Sequence, residues 1–184
     1  MTLLTGRLLA IHAALDAAPI EHAFGGAIAL AYWTLDPRGT SDIDVNLFTA
    51  QEEPARVLAV LPKGIAHDES SAARIKRDGQ VRLFWADTPV DLFFSNLPIH
   101  DQASEHRRRV PFAGVEIPIL GPLELAVFKA MFDRTQDWAD LEAMLRAATL
   151  DVDALREHLV EMAGEDDPRL GRLKEASRRA DAAG

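Results

Sequence analysis

The sequence contains no cysteine, which excludes disulfide bonds and metal sites built on thiolates. It also lacks an apolar run approaching the roughly 18 residues of a membrane span. Its N-terminal segment is interrupted by Arg7, His12 and Asp16, a pattern that favours an amphipathic helix over a signal peptide. These absences predict a cytoplasmic protein that makes no contact with a membrane.

Positive charge is scarce as well. The chain has 20 lysines and arginines against 29 acidic residues, which gives a net charge of −9. Nonspecific binding to nucleic acid needs clustered positive charge that displaces phosphate counterions. The charge balance argues against such binding, while leaving room for a locally basic pocket. At 48% hydrophobic residues in 184, the chain can bury the core of one domain with a small helical appendage.

Hydrophobic periodicity predicts a small mixed β-sheet with packed helices, an α/β (α+β) fold. Apolar residues at helical spacing predict a helix from about Thr2 to Ala17, ended by Pro19. Strands are predicted at "HAF", "DIDVNLF", "QVRLFWA", "VDLFF" and "GVEIPIL", with a hairpin around the turn "DTP". Helices are predicted at "AIALAYWTL" and "EEPARVLAVL", the latter with Thr49 as its N-cap. We expect residues 1–120 to form the α/β core and residues 121–184 a C-terminal helical part packed on it.

Two aspartates share one face of the predicted strand in "RGTSDIDVNLF". Side chains alternate along a strand, so Asp42 and Asp44 point to one side and Ile43 to the other. A third acid, Asp91, opens "DLFF" in a strand that could pair beside the first. Like charges a few ångströms apart raise at least one pKa unless something offsets them. A divalent cation would do so, because carboxylate oxygens suit Mg²⁺ and Mn²⁺.

The glycine pair Gly25-Gly26 lies between a predicted strand and a predicted helix. Glycines there let the backbone approach a ligand closely, and the helix directs N–H groups at an anion. Arg38, Thr40 and Ser41 follow on a loop, where they could donate hydrogen bonds to phosphate oxygens. A phosphate cradle beside a carboxylate group favours metal-assisted nucleotidyl transfer.

Each feature also has a simpler interpretation. Glycine pairs usually mark turns, and acids at a strand start are often only solvated. Their occurrence together, in this order and with Asp91 downstream, favours a functional site. The tryptophans are interpreted as core residues, with base stacking as the alternative, and the histidines lack metal-ligand spacing. The arginines at 107–109 are interpreted as a solvated patch at a helix end, with contact to an anionic substrate as the alternative.

Taken together, these motifs resemble the polymerase-beta-like nucleotidyltransferase superfamily. The carriers are "GG" before a short helix, "RGTSDID" at a strand start, and the isolated "VDLFF". The pattern R-x-T-x-D-I-D, far from the glycines, is most similar to the AbiEii-type toxin branch and is also similar to lincosamide and aminoglycoside nucleotidyltransferases. The segment "GPLELAVFKAMFDRTQDWADLEAML" is similar to a helical segment common there. The resemblance extends from Ala23 to Leu145.

The resemblance implies a nucleotidyltransferase fold and transfer of a nucleoside monophosphate from an NTP such as ATP to an acceptor hydroxyl, with Mg²⁺ or Mn²⁺. It implies these catalytic and metal-binding residues: Asp42, Asp44 and Asp91. It implies these nucleotide-binding residues: Gly25, Gly26, Arg38, Thr40, Ser41 and Lys129. A toxin-like member would modify tRNA or a protein and have a cognate antitoxin. An antibiotic-like small molecule is the alternative acceptor, and a noncatalytic nucleotide-binding or interaction module is the rival function.

The C-terminal charged residues are less specific. Lys129 lies on a mostly apolar helix, so its amine either reaches the surface along the helix or binds phosphate. Arg134, Asp137 and Asp140 are at places that match the helical segment of the superfamily, yet they can also form ion pairs along a helix. For Asp140 we prefer the ion pair. Gln136 stands where a lysine is frequent in that segment.

Overall fold

A computed structural model describes residues 2–182 of the chain. That part contains a seven-stranded mixed sheet and nine helices, which confirms the predicted fold class. It divides into two compact units. The sheet unit comprises the residues up to Gly26 together with 39–120, and the helical unit comprises 27–38 together with the residues from Gly121 on. The predicted boundary after residue 120 stays a prediction, since the helical unit also takes in 27–38.

The strands all belong to the sheet unit. They are β1 (His22–Phe24), β2 (Ile43–Ala50), β3 (Ile65–Ala66), β4 (Gln80–Trp85), β5 (Thr88–Ser95), β6 (Arg108–Phe112) and β7 (Val115–Ile119). Their order across the sheet is β3-β4-β5-β2-β1-β7-β6. β2 runs parallel to β5 and β1 parallel to β7, while the other neighbouring pairs are antiparallel. The predicted pairing of the "DIDVNLF" strand with the "VDLFF" strand is therefore confirmed.

The helices are distributed over both units. The sheet unit holds α1 (Leu3–Ala17), α3 (Pro54–Leu58), α4 (Glu69–Asp78) and α5 (Ile99–His106). α2 (Gly26–Thr34) begins at the unit boundary, and the helical unit continues with α6 (Pro122–Phe132), α7 (Thr135–Arg146), α8 (Val152–Ala163) and α9 (Pro168–Ala182). Within residues 2–182, no helix has the length and apolar character needed to cross a bilayer.

The predicted N-terminal helix is confirmed. The Thr2 hydroxyl caps α1 by accepting a hydrogen bond from the Thr5 amide at 3.2 Å. Leu8, Ile11 and Leu15 recur at helical spacing and are fully buried. The apolar stripe thus anchors this helix in the core of the sheet unit, because burying each such side chain contributes about 1.5–3 kcal/mol.

The predicted helix over "EEPARVLAVL" is shorter than expected, and its predicted cap is wrong. β2 continues through Ala50, so Thr49 is a buried strand residue. α3 begins at Pro54, and the residue at its N-cap, Glu53, makes no capping hydrogen bond through its side chain. The apolar residues of β2 extend the strand past Thr49, so the preference of threonine for N-cap positions did not decide its structure.

Sequence reasoning passed over β3, α4, α5 and β6. α4 carried a clear signal, since the Asp68 carboxylate accepts a hydrogen bond from the Ser71 amide at 2.9 Å and the Ser71 side chain bonds back in a capping box. Gly79 ends the helix with a φ of 68°, a conformation that favours glycine. The sequence signal for α4 was Asp68 three residues before Ser71, followed by a glycine at position 79.

The hairpin of β4 and β5 is confirmed, but its turn lies earlier than predicted. Trp85 pairs with Thr88, so the turn is Ala86-Asp87, and the predicted turn residues Thr88 and Pro89 belong to β5. Ala86 has a φ of 51°, as tight hairpin turns require. This turn places Arg82 directly opposite Asp91, whereas a turn over 87–89 would place Trp85 there.

A histidine pair joins α1 to β1, with His22 buried and His12 half-buried. Nδ1 of His12 is 2.9 Å from Nε2 of His22, and Nδ1 of His22 is 2.8 Å from the Ile20 carbonyl oxygen. Because the carbonyl can only accept, Nδ1 of His22 donates to it, and Nε2 accepts from His12. Burial lowers the pKa of His22 to about 4, although the Ile20 carbonyl favours the protonated ring.

We expect acid to destabilise the sheet unit through His22. The unfolded side chain protonates near its ordinary pKa of about 6.5, and the folded one only near 4. Between these values the unfolded chain binds more protons, so stability present above pH 6.5 is lost as the pH falls. The full loss would be about 3 kcal/mol, at 1.36 kcal/mol per pKa unit.

Urea unfolding at pH 7 and at pH 4.5 measures this loss. The variant His22→Gln should lose markedly less stability between the two pH values than the wild type. His67→Gln, at an exposed position, should keep the wild-type pH dependence. Equal pH dependence in His22→Gln and the wild type would show the prediction to be wrong.

Candidate active site

Parallel pairing of β2 and β5 brings the predicted acids together. Asp44 and Asp91 are register partners, directly opposite each other in the two strands. Asp42 immediately precedes β2 and shares the side of Asp44 by alternation. Ile43 and Val45 are fully buried on the other side. The carboxylates therefore gather at one place on the sheet, as the D-x-D spacing predicted.

A residue that sequence reasoning missed, Arg82, lies among these acids. Its Nε and Nη2 donate to Oδ1 and Oδ2 of Asp91 at 2.8 and 2.6 Å, and Nη2 is also 3.7 Å from Oδ2 of Asp42. The hydrogen bonds to Asp91, followed by the charges of Asp91, Asp42 and Asp44, raise the pKa of Arg82 against the opposing effect of burial. The guanidinium is thus the counter-ion of Asp91 and, at a longer distance, of Asp42. A correct turn assignment in the hairpin would have revealed it.

The Asp42 carboxylate is held by the loop that precedes it. The hydroxyls of Thr40 and Ser41 each donate to Oδ1 of Asp42 at 3.1 Å, and the Asp42 amide donates to the Thr40 hydroxyl at 3.3 Å. Burial raises the pKa of Asp42, but these two hydroxyls and the charge of Arg82 outweigh it, so the pKa lies below its ordinary value. The two residues predicted to bind phosphate orient a carboxylate here.

The glycine pair lies against Asp44. The Gly25 amide donates to the Asp44 carbonyl at 3.0 Å, and a Cβ at Gly25 would lie 2.8 Å from the Asn46 amide nitrogen. Gly26 has a φ of 51°, and a Cβ there would overlap the Asp44 carboxylate. Glycine is therefore required twice, by its backbone conformation and by the approach of the carboxylate.

The remaining predicted residues, Arg38 and Lys129, belong to the helical unit. The Lys129 amine donates to Oδ2 of Asp140 at 2.6 Å and lies 3.6 Å from Oδ1 of Asp137. Arg38 also donates to Oδ2 of Asp140, at 3.1 Å, and Gln136 donates to Oδ1 at 2.9 Å. This group of residues, the Lys129 cluster, gathers two acids of one helix around the lysine of another.

Burial excludes one of the two interpretations of Lys129, that of an amine at the surface. Its side chain is 7% exposed and that of Asp140 is 3% exposed, so the amine does not reach the surface. The ion pair preferred for Asp140 is present, but it joins α6 to α7 where we expected a pair along one helix. Burial raises the pKa of Asp140. The contacts with Lys129, Gln136 and Arg38 lower it by more, so the pKa lies below its ordinary value. Arg134 pairs with Asp137 within α7 at 3.8 Å.

The structure bears on the alternative interpretations of the tryptophans and of the arginines at 107–109. Trp138 is a buried core residue whose Nε1 donates to the Asp133 carboxylate at 2.7 Å, whereas Trp33 and Trp85 are half-buried. Arg107 follows α5 and pairs with Glu21 at 2.8 Å, and β6 begins at Arg108. Trp138 and Arg107 thus have structural partners.

The acid group of the sheet unit fits a magnesium ion in the chemistry of its donors. Its carboxylates offer the hard oxygens that Mg²⁺ prefers, and two of them, Asp42 and Asp91, already share one cationic group in Arg82. Among residues 2–182, no three acidic or histidine side chains stand close enough, as arranged, to enclose an ion. Mg²⁺ usually takes one or two carboxylates and completes its shell with water and substrate phosphates, so a closed cage is not required.

A mixed sheet with acids on adjacent parallel strands, beside a glycine turn, is typical of the polymerase-beta-like nucleotidyltransferases. Residues 7–183 match the family described as nucleotidyl transferase AbiEii toxin, type IV toxin–antitoxin system. The chain belongs to this family and is a nucleotidyltransferase, which confirms the resemblance stated from the motifs. Membership implies a nucleoside triphosphate substrate and a cognate antitoxin.

Solved structures agree on the fold. The solution structure of the antibiotic-resistance factor ANT(2'')-Ia is 14% identical, with a TM-score of 0.54 over 98% of this chain and 94% of that one. The crystal structure of ANT(2'')-Ia in complex with adenylyl-2''-tobramycin is 12% identical, with a TM-score of 0.53 over 99% of both chains. At such identities the likeness shows the fold alone. No curated protein sequence matches the chain at a significant level.

We expect Gly26→Ala to damage both stability and transfer. The positive φ costs an alanine about 1–2 kcal/mol, and the new methyl group displaces the Asp44 carboxylate. Misplacement of a reacting group by about 1 Å can reduce the rate roughly a hundredfold. Gly39→Ala is the control, because a Cβ there meets nothing within 4 Å and its φ is ordinary. If Gly26→Ala melts and reacts like Gly39→Ala, the close approach has no consequence.

Replacing Lys129 with methionine tests the buried cluster. The change leaves Asp140 buried with a partly unpaired charge, which we expect to lower the free energy of unfolding by about 3 kcal/mol. That value is at the lower end for a broken buried ion pair, because Gln136 and Arg38 still contact Asp140. Chemical denaturation measures it, and the double variant Lys129→Met/Asp140→Leu should recover most of the loss. A single variant as stable as the wild type would contradict a structural role for the pair.

Proposed function

We propose that the protein transfers a nucleoside monophosphate from a Mg²⁺-bound NTP to a hydroxyl of tRNA or of a protein. The observation that carries the proposal is the gathering of Asp42, Asp44 and Asp91 at one place on the paired strands β2 and β5. Carboxylates placed this close repel one another. A cation bound there together with substrate phosphates would offset the repulsion. Membership in a nucleotidyltransferase toxin family supports a macromolecular acceptor.

In the proposed reaction, Asp91 accepts the proton of the acceptor hydroxyl. The hydroxyl oxygen forms a bond to the α-phosphorus, and the bond from that phosphorus to the oxygen bridging to the β-phosphate breaks. Pyrophosphate leaves with the electron pair. Bound Mg²⁺, or Mn²⁺ in its place, would neutralise charge on the attacking and leaving oxygens.

The chain's own residues prepare this chemistry. Asp42, Asp44 and Asp91 would hold the cation. Thr40 and Ser41 keep the Asp42 carboxylate oriented and ionised through their hydrogen bonds, and their donors remain candidates for phosphate contact. The Asp44 carboxylate and the Asn46 side chain occupy the space beside Gly25 and Gly26, so we propose that these glycines meet the triphosphate through backbone N–H groups at the start of α2. We propose Arg38 and Lys129 as the groups that balance the charge of the triphosphate. The pairing of Lys129 with two acids limits how far its amine can serve that role.

An antibiotic-like small molecule is the second candidate acceptor. It is favoured by the shared fold with ANT(2'')-Ia, which was solved with an adenylylated tobramycin. The net charge of −9 would also suit a cationic small acceptor better than RNA. The acceptor therefore has to be identified by experiment.

Incubation with each of the four α-labelled NTPs, Mg²⁺ and cell extract tests the proposal. Label should appear on material that ribonuclease or protease degrades, while γ-label should leave as pyrophosphate. We expect Asp44→Asn to lower transfer at least about a hundredfold, or 2.7 kcal/mol of barrier, and Asp101→Asn, at an exposed position on α5, to behave like the wild type.

The other outcomes are equally informative. Label confined to small molecules would identify the second acceptor class. Transfer of γ-label to the acceptor would show kinase chemistry and overturn the proposal. Full transfer by Asp44→Asn would place the site elsewhere, and metal-dependent NTP binding without any incorporation would favour a noncatalytic module.

A further inference from the structure

Arg82 engages the same carboxylate oxygens that a metal ion would need. Both oxygens of Asp91 accept hydrogen bonds from its guanidinium, at 2.8 and 2.6 Å. The Nη2 nitrogen also lies 3.7 Å from Asp42. Such a two-pronged, charge-assisted pair is the strongest geometry available to an arginine and a carboxylate. The guanidinium is therefore a direct competitor for any cation that binds Asp91.

The β-sheet fixes the backbone positions of Arg82 and Asp91 relative to each other. Arg82 and Asp91 are register partners in the antiparallel β4–β5 pair, so the backbone holds the two side chains opposite each other. Side chains directly opposite each other on neighbouring strands are close enough to interact without help from any other element. The pairing differs from a chance surface contact, because no loop movement is needed to form it.

The two partners differ in how readily they can separate. The Asp91 side chain is 14% exposed and fixed in the strand, whereas the Arg82 side chain is 51% exposed. A long side chain with its head at the surface can turn into water at small cost. Release of Asp91 thus requires a rotation of Arg82 and no change in the sheet.

We propose that Arg82 is an exchangeable counter-ion of the acid group. In the metal-free protein it pairs with Asp91 and offsets part of the negative charge of the group, and it releases Asp91 when a divalent cation binds. This rests on the proposed function, since it takes the three aspartates as the cation site. The consequence is a built-in opposition, in which Arg82 stabilises the metal-free fold and weakens cation binding.

Mn²⁺ binding, followed by electron paramagnetic resonance without nucleotide, tests the proposal in the full-length protein. Arg82→Gln should bind Mn²⁺ roughly tenfold more tightly than the wild type, and its metal-free form should melt at a lower temperature. Arg82→Lys keeps the charge but not the fork geometry, so we expect an intermediate affinity, and it provides a second variant should Arg82→Gln fail to fold.

A matched control is available in the same unit. Arg77 makes an equally short two-pronged pair with Asp78, at 2.8 and 2.6 Å, that involves none of the three aspartates. Arg77→Gln should bind Mn²⁺ and melt like the wild type. Asp44→Asn should lose most of the Mn²⁺ binding, which assigns the bound ion to the acid group.

The outcomes separate this proposal from the proposed function. If the wild type binds Mn²⁺ through Asp44 but Arg82→Gln binds it equally or more weakly, Arg82 positions Asp91 for the ion and the exchange is overturned while the function stands. If Asp44→Asn binds Mn²⁺ fully, the cation site itself is wrong and both proposals fail. If neither the wild type nor Arg82→Gln binds Mn²⁺ without nucleotide, the exchange is overturned while the proposed function stands, because there the NTP phosphates complete the metal shell. Tighter binding in Arg77→Gln as well would indicate a general charge effect and also overturn the exchange.

Discussion

The alignment of Asp44 with Asp91 by parallel pairing of β2 and β5 is the constraint on which the site depends. A slip of one residue would turn one carboxylate to the opposite face of the sheet. Ile43 and Val45 prevent it, because both are fully buried on that opposite face. The hydrophobic core therefore fixes the position of the acids, although none of its residues contacts a reacting group.

This alignment has an electrostatic cost, and neighbouring polar groups offset it. Arg82 supplies a positive charge to all three acids from β4. Thr40 and Ser41 donate hydrogen bonds that favour the ionised form of Asp42. These contacts offset part of the repulsion within the acid group.

The helical unit solves a different electrostatic problem. Its acids, Asp137 and Asp140, lie one turn apart on α7 and both approach Lys129 of α6. Here the charges are buried and mutually compensated, so the arrangement joins two helices in one orientation. We expect this pair to favour one packing of the helices more than it adds net stability, because desolvation of the two charges offsets much of their attraction. A lysine that the sequence suggests as a phosphate ligand is thus paired with two acids of another helix, which its spacing alone does not reveal.

Local patterns in the sequence determined much of this protein. The apolar spacing of α1, the alternation around Ile43 and the D-x-D pair predicted a helix, a strand and an acid group without any tertiary information, since each depends on neighbours in the chain. The register of the hairpin was decided by the tertiary structure, because a turn at Ala86-Asp87 places Arg82 opposite Asp91 where a later turn would not. The burial of Lys129 was decided in the same way, since its partners come from another helix. Counter-ions are selected by distance in space, and that distance exists only once strands and helices have packed.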